Sequence, residues 1–156
     1  MNKINAYVYS FIIMIIIAAA PSNTMKSINT PWYQCIKSDL TPPNYVFPIA
    51  WTTLYILIGI SLAQTLMLPD SPQKNTLLQL YAINLLLNMA WSFAYFGNKN
   101  VNLAFLIIIC MIVSLIYILQ YTKMLLPQWV FNILVPYLLW ISFATVLNYG
   151  SLNKKC

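Results

Sequence analysis

Residues 101–121 read VNLAFLIIICMIVSLIYILQY, a run with no charged side chain in which, from Leu103 to Leu119, only Ser114 is distinctly polar. A helix of about 20 apolar residues, rising about 1.5 Å per residue, crosses the roughly 30 Å hydrocarbon layer of a bilayer. Strands of a membrane barrel would alternate polar and apolar at every second position, which this run does not. Backbone groups in lipid must be paired within their own segment, so the run reads as a membrane-spanning helix.

Working outward, the flanking charges are Lys99 and Lys123, and the same punctuation recurs along the chain. The 156 residues include eight Lys, two Asp and no Arg, Glu or His, so 6% are charged and 61% hydrophobic. Soluble domains carry about 25% charge. The charges leave five long uncharged stretches, 4–25, 40–69, 75–98, 100–122 and 124–153, of 22, 30, 24, 23 and 30 residues. Each is long enough to cross once and too short to cross twice. The fold class expected is therefore all-α, a polytopic membrane protein with one five-helix bundle over residues 1–156. Its helices are predicted at about 4–20, 46–68, 76–96, 101–121 and 125–149, with a loop over 21–45. The connection Gly97-Asn98-Lys99-Asn100 is so short that the third and fourth helices must be antiparallel neighbours, and Pro127 marks the start of the fifth.

The first stretch admits two readings. Lys3, the apolar run Phe11–Ile17 and Ala18-Ala19-Ala20 imitate a secretory leader with its small-residue cleavage site. Tyr7, Tyr9 and the character of the rest of the chain fit a retained span better. Lysines number three on the N-terminal side (Lys3, Lys74, Lys123) and five on the other (Lys26, Lys37, Lys99, Lys154, Lys155). The positive-inside rule then puts the 21–45 loop and the C-terminus in the cytoplasm.

Inventory excludes much chemistry. Without His and with two carboxylates, zinc sites, Ser-His-Asp triads, paired-carboxylate catalysis and His-ligated haem have nothing to build on. No metal, protein-held cofactor or enzymatic activity is expected. Cys35, Cys110 and Cys156 are odd in number and widely spaced, and yield no disulfide framework or CxxC site. The net charge of +6 fits lysines at membrane edges better than a nucleic-acid partner. No ionisable group lies near the centre of a span, which disfavours ion-coupled transport.

The informative positions are polar and aromatic residues inside the spans. Asn84, Asn88, Trp91 and Tyr95 fall on one stripe of the third helix, and Pro136, Trp140, Ala144 and Asn148 on one stripe of the fifth. Trp51, Tyr55 and Gly59 repeat the spacing in the second, where Gly59 and Ala63 form a small-residue pair that admits a close neighbour. Each amide needs an internal partner, so the stripes are either interhelical glue or the lining of a pocket. Pro136 is expected to kink its helix or free a carbonyl. The fourth helix, nearly devoid of polar groups, is expected to be the most lipid-exposed or an oligomer surface. A pocket of Trp, Tyr and Phe with a few amides suits a large flat apolar molecule, whose carboxylates could meet Lys26 or Lys37 in the loop.

WYQCIKSDLTPPNYVFPIAWTTLYILIG (32–59), NLLLNMAWSFAYFG (84–97) and PYLLWISFATVLNYG (136–150) resemble the translocator protein family, also called TspO or the peripheral benzodiazepine receptor. The resemblance runs in order over about residues 31–150. It implies a five-helix fold, usually a homodimer, that binds porphyrin or haem and, in animals, sterol and benzodiazepine-type drugs. Carried onto matching positions, the family pocket would include Trp32, Tyr33, Trp51, Asn88, Trp91, Trp140, Phe143 and Ala144, with Asn84 and Asn148 at related places and Tyr55 in the WTxLY block. Two departures stand out. The loop lacks the proline and tryptophan of the family's KPxWxPP, reading Lys37-Ser38-Asp39-Leu40-Thr41-Pro42-Pro43, and the proline before Trp51 sits one place early, at Pro48. Leu147, Tyr149 and Lys154 also fit a proposed sterol pattern.

The expected function is thus a receptor-like membrane protein for tetrapyrroles that regulates or facilitates their transport. The alternatives are light-dependent porphyrin breakdown, which the resemblance also implies, and a passive scaffold. Richness in Ile, Asn and Lys points to a bacterial rather than a mitochondrial membrane.

Overall fold

The computed structural model describes residues 2–156. Six α-helices form: α1 (Lys3–Ala19), α2 (Pro31–Ile36), α3 (Val46–Met67), α4 (Pro72–Ser92), α5 (Val101–Leu125) and α6 (Gln128–Ser151). Five helical segments are long and apolar enough to cross a membrane, α1, α3, α4, α5 and α6, so the protein is a multi-pass bundle. The sixth, α2, is a short helix inside the 21–45 loop. That loop is more ordered than expected, with a 3-10 turn over Thr24–Asn29 preceding α2.

Helix boundaries follow the caps rather than the charges. Ser71 accepts from the Lys74 amide at 3.1 Å, and Pro72 occupies the first helical turn, so α4 begins four residues before the predicted Thr76. Pro tolerates that position because its missing N–H would be unpaired there in any case. Lys74 lies inside the helix, and its ammonium turns back to the Leu68 carbonyl at 2.7 Å and Asp70 at 3.0 Å. A charge that snorkels along its own helix does not end it. Likewise α5 runs on to Leu125, past Lys123, and α6 starts at Gln128 behind Pro127. The helix continues through Pro136 without interruption.

In the bundle α4 lies against α5, as the short connection requires, and α5 against α6. α3 contacts α6 and α4, and closes the ring, with α1 on its outer side. The small residue Gly59 permits that last contact: a Cβ there would sit 3.1 Å from Phe11 Cε1 and 3.3 Å from Met14 Cγ. Gln64 reaches from α3 to the Tyr7 hydroxyl of α1 at 2.9 Å. The expectation that the fourth span is the most lipid-exposed is corrected. The share buried is 28% in the most apolar window of the first span against 33% in α5. Ala104, Ile108, Met111, Leu115 and Ile118 of α5 all enter the core, because α5 is wedged between α4 and α6.

A ladder of polar contacts runs along the buried stripe of α4. Tyr81 bonds Ser61 of α3 at 2.6 Å. Asn84 donates to the Met111 carbonyl at 3.0 Å and to Ser114 at 2.8 Å, both on α5, and accepts from Tyr137 of α6 at 2.7 Å. Asn88 accepts from Tyr55 of α3 at 3.0 Å and donates to Tyr137 at 3.4 Å. Removing one member leaves partners unpaired in a site that water does not reach. Asn84→Leu should therefore cost about 1–2 kcal/mol, seen as a lower thermal midpoint in detergent with helical content retained. An unchanged midpoint would contradict this role for the ladder.

Candidate functional site

Beyond Asn88 the same stripe of α4 changes character, from amides to aromatic rings. α4 passes into a π-helical turn over Phe93–Gly97, closed by the Asn98 amide on the Phe93 carbonyl at 2.8 Å. The wider turn carries three consecutive residues, Ala94, Tyr95 and Phe96, inward together. Trp91 stacks on Tyr95 at 5.3 Å and meets Phe96 edge-on at 5.8 Å. Its indole N–H donates to Asn148 Oδ1 at 3.0 Å, while the Asn148 amide donates to the Val101 carbonyl at 3.0 Å. One turn on, the Tyr95 and Ser151 hydroxyls lie 2.9 Å apart.

These rings wall a cavity of about 30 Å³ at the loop end of the bundle, lined by Tyr33, Thr41, Phe47, Trp91, Tyr95, Phe96, Ala144, Leu147 and Asn148. That volume holds about one water molecule. Beside it Trp140 packs against Phe47 at 5.8 Å, and its buried indole N–H has no acceptor among the described residues. A buried donor without a partner is unusual enough to need an explanation.

The 21–45 loop forms the roof. Thr30 caps α2 through the Tyr33 amide, and Pro31 opens the helix. Tyr33 is thereby pointed down onto Phe96, 5.7 Å away. Burial, and secondarily the neighbouring Tyr95, pushes the Tyr33 phenol up to about 12, so at neutral pH it is an uncharged wall of the cavity. Trp32 lies at the edge of Tyr95 with the Lys99 ammonium 5.5 Å above its ring. Ser27 donates to the Phe96 carbonyl at 2.7 Å and ties down one end of the roof. The other end meets the last turn of α6 and the tail. There Lys154 donates to the Lys37 carbonyl at 2.7 Å and pairs with Asp39 at 2.8 Å, which holds the Asp39 carboxyl below the usual range. Cys35 and Cys156 are joined by a disulfide across 121 residues, a pairing that their spacing did not disclose.

The positions singled out from sequence fall into three groups. Tyr33, Trp91, Ala144 and Asn148 line the cavity, and Trp32 and Trp140 adjoin residues that do. Asn84 and Asn88 are occupied in the ladder, as glue. Trp51 packs on Tyr55 at 5.5 Å and on Tyr137 at 6.4 Å. Tyr55 instead borders a separate groove of about 180 Å³ between α1 and α3, with Phe11, Met14, Ile15, Ala18, Thr52 and Ile56. Phe143 touches Trp140 at 5.9 Å but lies 37% exposed on the outer side. Thr41, Phe47, Phe96 and Leu147 were missed. Phe96 follows Tyr95 directly and is brought inward by the π-turn, which no periodicity signals.

The match to known proteins covers nearly all of this architecture: residues 9–153 fit the model of the TspO/MBR family. The chain belongs to that family. A Tryptophan-rich protein TspO of Chlorobaculum tepidum is 34% identical over 126 residues, covering 78% of each chain. Another of the same name from Archaeoglobus fulgidus is 37% identical over 135 residues, 81% of each. The Tryptophan-rich sensory protein of Cereibacter sphaeroides is 30% identical, covering 85% of this chain and 77% of its own. These TspO/MBR relatives carry protein or sensory names rather than enzyme names.

The roof sits on α6 by close approach at Gly150, where a Cβ would come within 2.6 Å of Ser38 Oγ and 2.9 Å of Ser38 Cβ. Gly150→Ala must push residues 37–39 off the helix end. Amide exchange there should quicken several-fold while α4 and α5 stay protected; unchanged exchange over 37–41 would contradict the docking. Protonating Asp39 loosens the same contact. Because its folded-state titration is lowered, that contribution is present above the ordinary carboxylate range and is lost as pH falls through the lowered value.

Proposed function

We propose that this TspO/MBR protein is a membrane receptor for a planar aromatic macrocycle of the tetrapyrrole type, held beneath the 21–45 loop. Occupancy rather than turnover is its activity, and it serves to regulate or facilitate the movement of such compounds. The observation that carries the reading is the wall of Tyr33, Phe47, Trp91, Tyr95 and Phe96 around one amide, with the unpartnered Trp140 donor alongside. Offset and edge-on rings match the faces of a flat ligand, and a spare buried N–H is satisfied when an acceptor arrives. Lys99, above Trp32 at the rim, matches peripheral carboxylates.

The cavity of about 30 Å³ is far below the roughly 300 Å³ or more of ligand sites, so binding requires the roof to move. The lining contains no Asp, Glu, Lys or Arg, which favours binding over acid–base chemistry. On the same reading the protein works as a homodimer in a bacterial cell membrane. Benzodiazepine-type drugs or a sterol are then competitors for one apolar site.

Titrating the purified protein with protoporphyrin IX should quench Trp fluorescence saturably. Trp140→Phe removes the N–H together with half of the fused ring system, and should weaken binding at least about fivefold, the worth of one hydrogen bond. Absence of quenching, or equal affinity in the variant, would count against the reading.

A further inference from the structure

Besides the packing of Trp32 and Tyr33 on Tyr95 and Phe96 and the Lys154 bond to the Lys37 carbonyl, four ties of different kinds hold the roof over the cavity. Ser27 on Phe96 is a single hydrogen bond, and Ser38 on Gly150 is van der Waals contact. Lys154 on Asp39 is an ion pair whose carboxylate side is 94% exposed, and such pairs contribute little. The fourth, Cys35 to Cys156, is covalent and ties α2 to the tail just beyond α6. Both cysteines are in exposed positions, within reach of a reagent in the aqueous phase, whereas Cys110 is a free thiol on α5. Roof residues Tyr33 and Thr41 are part of the cavity lining, so a roof that cannot swing away keeps the cavity at its present size.

We propose that the Cys35–Cys156 disulfide is a redox latch on the roof: oxidised, it holds the roof down and slows the entry of large ligands, and reduction by a dithiol releases it. One thiolate of the dithiol attacks a protein sulfur, forming a mixed disulfide and expelling the other cysteine as thiolate, which takes a proton. The second thiol of the reagent then displaces the remaining cysteine. Two electrons and two protons pass to Cys35 and Cys156, and the dithiol leaves as its own disulfide. Disulfides form and persist chiefly in oxidising compartments, which favours a roof and C-terminus facing away from the cytoplasm. That placement is opposite to the one the lysine count gives, by a margin of two charges. The latch rests on the reading of the cavity as the ligand site.

The full-length protein in lipid nanodiscs tests it, compared as isolated, after dithiothreitol, and as Cys35→Ser, Cys156→Ser and Cys110→Ser. Reduction, or either of the first two substitutions, should speed amide exchange over residues 31–41 and protoporphyrin IX association by about tenfold or more, the lower range for losing a long cross-link. Cys110→Ser should change neither. Equal exchange in all forms overturns the latch, as does faster exchange with unchanged association. Faster exchange with no protoporphyrin bound by any form supports the latch and removes the tetrapyrrole reading instead. In spheroplasts expressing Cys110→Ser, an impermeant maleimide should label the chain after dithiothreitol. Labelling only after permeabilisation overturns the outward placement.

Discussion

An amide buried in hydrocarbon has no water to turn to, and the bundle is arranged so that the two in the middle of α4 never need it. Asn84 and Asn88 are bonded by three other helices, through Tyr55 of α3, Met111 and Ser114 of α5 and Tyr137 of α6. Without a hydrophobic driving force between apolar helices in lipid, such directional contacts and close packing set the register. Tyr137 is bonded by both amides, so the three residues act as one unit and fix the rotation of α4 relative to α6. That rotation presents Trp91 and Tyr95, further along the same stripe, to Asn148 and Ser151. The aromatic cavity is thus the far end of the contact set that holds the bundle together.

The distinction between glue and pocket, left open by the stripes, is resolved by depth. Helical periodicity states which face of α4 turns inward but not where along that face packing ends and space begins. Near the middle of the bundle Tyr137 and Ser114 fill the gap between α4, α5 and α6, and the amides are consumed. Toward the loop the π-turn widens α4, and the rings of Trp91, Tyr95 and Phe96 surround a void. This explains why Asn148 borders the cavity while Asn84 and Asn88 do not. It also explains why Trp51, although on an aromatic stripe, packs against Tyr55 and Tyr137.

The five spans were legible because charge is so scarce that each Lys or Asp stands near a boundary, and the cost of burying charge in lipid makes that reading robust. It failed by a few residues where a lysine could curl back, as Lys74 does onto Leu68 and Asp70. The roof was less legible. Its order depends on Ser27, Thr30 and Ser38, small hydroxyl residues common in any loop, and on a cross-link between positions 121 apart in the chain. Sequence spacing carries no information about such a pair, since bonding depends on the two Cα atoms meeting within about 7 Å in the fold.

Besides the small cavity under the roof, the open groove between α1 and α3 is a second place that could receive a flat apolar ligand. A crystal structure of the reduced protein with protoporphyrin IX separates them most directly. The account predicts density for the macrocycle between Trp91, Tyr95, Phe47 and Trp140, with residues 31–41 displaced and the Asn84–Tyr137–Asn88 contacts unchanged. A macrocycle lodged instead against Phe11, Met14 and Tyr55, beneath an undisturbed roof, would contradict it.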